Sequence, residues 1–168
     1  MNRRVVVTGT GVITPVGNDV QTYWKNILEG VCGIGVINSI PVDDLPVKIA
    51  GEVKDFNPAD YEIEAPFARK QDKFTVYAVA AAWQAVKESG ISSAEGGNID
   101  PLRFGVYVGS GIGGFTTQMR ETEKILNEGA KWVSPLFIPT MIANIAAGNI
   151  AIRNNACGPC LPVVTACA

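Results

Sequence analysis

Three of the chain's four cysteines fall between positions 157 and 167, in the segment CGPCLPVVTACA. Sulfur at that density admits three chemistries. Cys157 and Cys160 enclose Gly-Pro, the C-x-x-C spacing of a dithiol redox pair, in which a thiolate is activated when it opens a helix. The residues that follow, Leu-Pro-Val-Val-Thr, favour a strand instead, which argues against that use. A zinc site needs four ligands, and with no histidine in the chain it would have to recruit Cys32 and Cys167 at unsuitable spacing. Cys167 stands apart from the pair. It ends an apolar strand pattern between Ala166 and Ala168, small neighbours that let the backbone turn sharply and present the thiol, where the dipole of a following helix would favour the thiolate. Residue types alone leave a nucleophile and an ordinary buried cysteine both open, with a thioredoxin-like redox pair as a distant third.

A second constellation is GSGIGG, in which Gly109, Gly111 and Gly114 match G-x-G-x-x-G between a predicted strand and a predicted helix. A dinucleotide site also asks for an acidic residue about twenty positions on, at the end of the next strand. Here that region is Glu128 and Gly129, at a helix end. Glycines that permit close packing beside a pocket are therefore the favoured reading.

The elements that must position these groups alternate in type. RRVVVTGTG reads as a short buried strand ending at glycines. A helix follows, capped by Asn18 or Asp19, with Val20, Tyr23, Trp24, Ile27 and Leu28 on one face and Gly30 as its stop. Residues 31–66 are irregular and punctuated by prolines, with VKIAGEV as a possible strand. A central buried helix is predicted from about Asp72 to Ser89, and its Ala78, Ala81, Ala82 and Ala85 would admit another backbone. RFGVYVGSG is a strand, TTQMRETEKILNEG an amphipathic helix, TMIANIAAGNIAIRNN a buried helix and LPVVTACA a buried strand. This order implies an α/β layered fold around a mainly parallel sheet, with no internal domain boundary over 1–168.

With 168 residues the chain can bury a real core, and its net charge of −2 with interspersed basic residues gives no general affinity for nucleic acid. The N-terminal apolar run is too short for a signal-peptide core, so a reducing cytosol with free thiols is expected. Between Lys131 and Arg153 there is no charged residue, a length that could span a membrane. Pro135, Pro139, Asn144 and Asn149 make it buried protein instead. So apolar a tail needs cover, from a tight oligomer or from further chain.

RRVVVTGTGVITPVGND, GSGIGG, SPLFIPTMIANIAAGNIAI and GPCLPVVTACA, with the spacing between them, closely resemble the β-ketoacyl-acyl carrier protein synthases of fatty-acid synthesis, and the type II, long-chain condensing branch best. The resemblance covers the whole chain. It implies a thiolase-like layered fold, of which this would be an incomplete first half, and a cytoplasmic homodimer without metal or nucleotide cofactor. The partner it implies is acyl carrier protein, which brings its own phosphopantetheine. Cys167 would hold the acyl chain as a thioester, and a malonyl group on a second carrier would lose carbon dioxide and attack it.

Other roles follow from the same resemblance. Ile112 and Phe115 would line the acyl pocket, with Phe137 the residue a partner subunit contributes to it. Arg69, Lys70 and Lys131 would dock the acidic carrier, along with Lys73; cations opening the alanine-rich helix would oppose its dipole, which points to a functional reason for them. Trp132 stands where relatives carry another base. The two histidines, the lysine and the late glycine-rich loop of the family are not in this chain, which has no histidine. The expectation is that Met1 to Ala168 is a segment of a chain of roughly four hundred residues, inactive in condensation by itself, in keeping with its apolar tail. The rival is a truncated or non-catalytic partner subunit that keeps the fold without the histidines.

Overall fold

The computed structural model describes residues 3–165; Cys167, with Ala166, Ala168 and the first two residues, lies outside the described residues. The first helix, α1 (Val20–Leu28), starts where its sequence says: the Asp19 carboxylate accepts the Thr22 N–H at 2.8 Å, and Gly30 leaves the helix at φ +69. Next, β1 (Ile34–Val36) and β2 (Ile49–Gly51) pair antiparallel, Ile34 opposite Gly51. A tight 3-10 turn, Pro58–Tyr61, and the short α2 (Ala65–Lys70) lead to α3 (Lys73–Ser89).

The predicted central helix is central. Asp72 caps α3, Gly90 ends it in a left-handed conformation, and Thr75, Val76, Val79 and Ala80 are buried along it. Against it lies α6 (Ile145–Arg153), which buries Ala146, Ala147, Ile150 and Ala151. The strand β3 (Val106–Gly109) completes this core through Val106, with Tyr61 and Ile63 at its other side. Small side chains on the facing helices let the axes approach closely, and the larger Tyr61 and Ile63 fill the core beside them. The alanine face also receives the N-terminal arm: a Cβ on Gly9 would stand 2.1 Å from the Ala85 carbonyl oxygen, and one on Gly11 2.0 Å from that of Ala81. Only glycine tolerates that approach. The Gln84 amide fastens the same arm by donating to the Val12 and Asn18 carbonyls at 2.9 and 3.0 Å.

On the other flank, β3 pairs in parallel with β4 (Cys160–Val163), from Val106 opposite Cys160 to Gly109 opposite Val163. Between them run α4 (Phe115–Asn127), a 3-10 turn over Ala130–Trp132, α5 (Phe137–Met141) and α6. The fold is thus α/β with a short parallel pair and helices packed on it.

Three expectations need correction. RRVVVTGTG forms no strand among the described residues, and Val5 is 94% exposed, because β-branched residues favour extended backbone but a strand also needs a partner to take its N–H and C=O groups. TMIANIAAGNIAIRNN is two helices, not one. Ile142 turns extended at ψ 142, and the Met141 carbonyl freed there accepts the Gly114 N–H at 2.7 Å. Finally, the described part of LPVVTACA, residues 161–165, is not a buried strand: Leu161, Val163 and Val164 are exposed, since β4 is covered by β3 on one edge only.

Candidate active site

The strand, turn and helix at residues 106–127 focus the site. Leaving β3, the chain turns through Ser110–Gly114 and enters α4 at Phe115. Gly113 takes φ +84, and a Cβ there would stand 2.5 Å from the Met141 carbonyl oxygen; one on Gly114 would stand 2.8 Å from that of Thr140. Two of the turn's glycines therefore exist for close approach to α5. Gly114 also leaves α4 without a side-chain cap of its own.

That cap comes from elsewhere. Asp72, 6% exposed, divides its carboxylate between two helix starts: Oδ1 accepts the Phe74 N–H of α3 at 3.3 Å, and Oδ2 accepts the Thr117 N–H of α4 at 2.7 Å. An anion already occupies the positive end of α4, where a dinucleotide would need its pyrophosphate. The glycine motif is thus a packing device.

β4 brings the cysteine segment to this turn. The parallel register ends at Gly109 with Val163, and the Ser110 N–H donates to the Val163 carbonyl at 3.1 Å. Val164 and Thr165, the last described residues, continue from there toward Cys167. Cys160 opens β4, so the Cys157–Cys160 pair does not open a helix as a redox motif requires, and both are free and exposed, as is Cys32. Among the described residues no cluster of ligating side chains could hold a metal.

Of the expected pocket residues, two lie at the turn and one at the far end of α5. Ile112 lies in the turn and Phe115 begins α4, both exposed, while Phe137, partly buried, begins α5, whose end seats Gly113 and Gly114. The expected docking residues split differently. Arg69 and Lys70 do not open the alanine-rich helix; they form the last turn of the separate α2, where cations suit the dipole, so the opposition argument applies to Lys73 alone. All three are exposed. Lys131 lies in the 3-10 turn after α4, its ammonium 5.4 Å from the Trp132 ring centroid.

Sequence reading missed two carboxylates. Asp72 had been only a helix boundary, although a capless glycine at the start of α4 signals that another group must serve there. Glu121 sits on an amphipathic helix between Arg120 and Lys124, the pattern of a solvated face, yet is 1% exposed. It accepts the Ser134 N–H at 2.9 Å, the Lys124 ammonium at 2.9 Å and the Arg120 guanidinium at 3.2 Å. Led by the Ser134 bond, these hold its pKa down to about 2 against the opposing cost of burial. Glu121 thereby ties the segment between Lys131 and Phe137 to α4.

A parallel strand pair, a glycine turn entering a helix, and two small-residue helices packed behind make an α/β fold, and solved ketosynthases share it. The chain belongs to the β-ketoacyl synthase family, whose N-terminal domain matches residues 2–168. The 3-oxoacyl-[acyl-carrier-protein] synthase 2 of Staphylococcus aureus (strain COL) is 44% identical over 167 residues, 99% of this chain and 39% of that protein. The synthase 2 of Vibrio harveyi is 41% identical over 98% of this chain and 39% of its own. The chain therefore spans about two fifths of these relatives' length. Among solved structures, the ishigamide ketosynthase/chain length factor superposes over the whole chain and 41% of its own at a TM-score of 0.86 and 27% identity. A complex of a type II PKS acyl-carrier protein with its ketosynthase bound to the hexaketide matches 93% of the chain at a TM-score of 0.75 and 29% identity.

Proposed function

We propose that this chain is the nucleophile-bearing part of a type II β-ketoacyl-acyl carrier protein synthase. Cys167 attacks the thioester of an acyl group on the carrier's phosphopantetheine, taking the acyl group and releasing the carrier thiol. A malonyl thioester on a second carrier then loses carbon dioxide, and its carbanion attacks the Cys167 thioester, expelling the cysteine thiolate and leaving a chain two carbons longer. Ile112 and Phe115 line the acyl pocket, and Phe137 reaches into a partner subunit's pocket. Arg69, Lys70 and Lys131 dock the acidic carrier. Histidines to stabilise the enolate come from sequence that the longer relatives carry and this chain does not span. The observation that carries the reading is the register of β4 on β3, which delivers the segment leading to Cys167 beside the glycine turn.

The partner and setting are parts of the same proposal. Exposed Leu136 and Ile138 beside Phe137 support a homodimer contact, and the exposed cations support a carrier surface. No helix among the described residues is long and apolar enough to cross a membrane. A cytoplasmic location accords with free thiols, and the reaction calls for no metal or nucleotide of the protein's own. A non-catalytic partner subunit is disfavoured by Cys167 itself.

Because Cys32, Cys157 and Cys160 are all exposed, the test is selectivity, not labelling alone. Iodoacetamide at pH 6, where an ordinary thiol of pKa about 8.5 is hardly ionised, should alkylate Cys167 at least about tenfold faster than the other three, as read by peptide mass spectrometry. Equal rates at all four, or preferential labelling of Cys157 with a Cys157–Cys160 disulfide, would sink the assignment.

A further inference from the structure

We propose that Asp72 is a positioning residue for acyl-chain selection: it locks the glycine turn and the start of α4 to the start of α3, and so sets where Ile112 and Phe115 stand. This rests on the ketosynthase reading above. Four observations converge on it. Gly114, the cap residue of α4, has no side chain with which to cap, and a Cβ there would stand 3.2 Å from Asp72 Oδ2. The carboxylate reaches across 45 positions of sequence to Thr117 N–H, the third residue of the helix that Phe115 opens. Its other oxygen holds α3, which contributes Val76, Val79 and Ala80 to the core. Finally, Asp72 comes two residues after Lys70, so one backbone segment carries both the basic pair and the anchor of the pocket turn. A buried carboxylate shared between two helix ends is a rigid joint: each oxygen accepts an N–H from a different helix. Ile112 and Phe115, which flank Gly113 and Gly114, are then held from two sides, by α5 through the Met141 carbonyl and by α3 through Asp72.

An asparagine at 72 offers one oxygen for two N–H groups. A serine keeps the α3 cap but is too short to reach Thr117. The test uses the intact gene product carrying Asp72→Asn or Asp72→Ser, assayed for condensation with short and long acyl-carrier substrates. The expected result is a fall in kcat/KM for the longest acyl chains about ten- to a hundredfold greater than for the shortest. The alkylation rate of Cys167 should be unchanged. An equal loss at every chain length, or no loss, overturns the proposal, since a purely structural cap has no reason to distinguish substrates. If neither variant folds, Asp72→Glu decides the matter: it keeps the charge and both acceptors but displaces the turn by one methylene. An altered length profile then supports the assignment and an unaltered one overturns it. The ketosynthase reading fails separately, by absence of condensation in the unsubstituted protein. In that event the joint itself is still read by amide exchange, Thr117 N–H being expected to exchange slowly; exchange at the rate of an unstructured peptide overturns it.

Discussion

α1 and α3 carry equally legible helical signals and meet opposite fates. Both begin at an aspartate cap and end at a left-handed glycine. Yet α3 buries Thr75, Val76, Val79 and Ala80, while α1 buries nothing and leaves Trp24, Ile27 and Leu28 in solvent. Periodicity and caps specify that a helix forms and which face is apolar; they do not say what covers the face. The cover for α3 comes from α6, far along the chain, from the 3-10 turn that carries Tyr61, and from a glycine arm that fits only because the helix face is alanine. The apolar residues around α1 and the β1–β2 pair, among them Val31, Ile34, Val36 and Ile49, have no comparable partner among the described residues.

The contrast is broken most sharply from the packed side. Ile63 is 2% exposed and belongs to the α3–α6 core, so Ile63→Ala should lower unfolding free energy by about 2–5 kcal/mol, read by urea denaturation. A cost under about 1 kcal/mol would mean that this core is loose enough to collapse around the gap, and the distinction between the two regions would fall.

Charge sharpens the same comparison. Asp19 serves its helix in the open, whereas Glu121 serves from within, as the anchor of the segment that leads to Phe137. Glu121→Gln keeps the shape but halves the acceptors and removes the charge facing Lys124 and Arg120, and should cost about 1–3 kcal/mol. The wild-type protein carries its own control in pH. The folded-state pKa lies near 2, below the ordinary 4.5, so the contribution of Glu121 is complete above about pH 4.5 and is lost as pH falls through 2. Unfolding followed by circular dichroism from pH 5 to pH 2 should show wild type losing stability toward that of Glu121→Gln; parallel curves would contradict the buried anchor.

These particulars mark how far the sequence could be read. The helix at 73–89, its alanine face, the cap of α1 and the strand before the glycine turn were legible because each follows from residues within one turn of one another. The arm at 5–7 and the exposed β4 were misjudged, since burial of a strand depends on neighbours that its own residues do not name. The break at Ile142–Asn144 was hidden in a continuous small-apolar run, and its cause is remote: the Met141 carbonyl turned toward Gly114. For the site, the family pattern drew attention to Cys167, Ile112, Phe115 and Phe137. It did not disclose the carboxylates that hold the start of α4 and the segment before Phe137, because a charged residue on a helix looks solvated until the fold closes over it.

The smallest expected effect tests the open side. Leu28 is 69% exposed, and truncating it removes little apolar area from a packed environment, so Leu28→Ala in the 168-residue chain should change stability by no more than about 0.5 kcal/mol. Urea denaturation beside Ile63→Ala gives the ratio directly. A large ratio means that the periodicity of α1 encodes a contact this chain does not itself supply. A Leu28→Ala cost of 2 kcal/mol or more would place that face in a packed environment in solution, by self-association or by closure of the β1–β2 pair onto it. Dependence of the cost on protein concentration separates these two, because only association is linked to it by mass action.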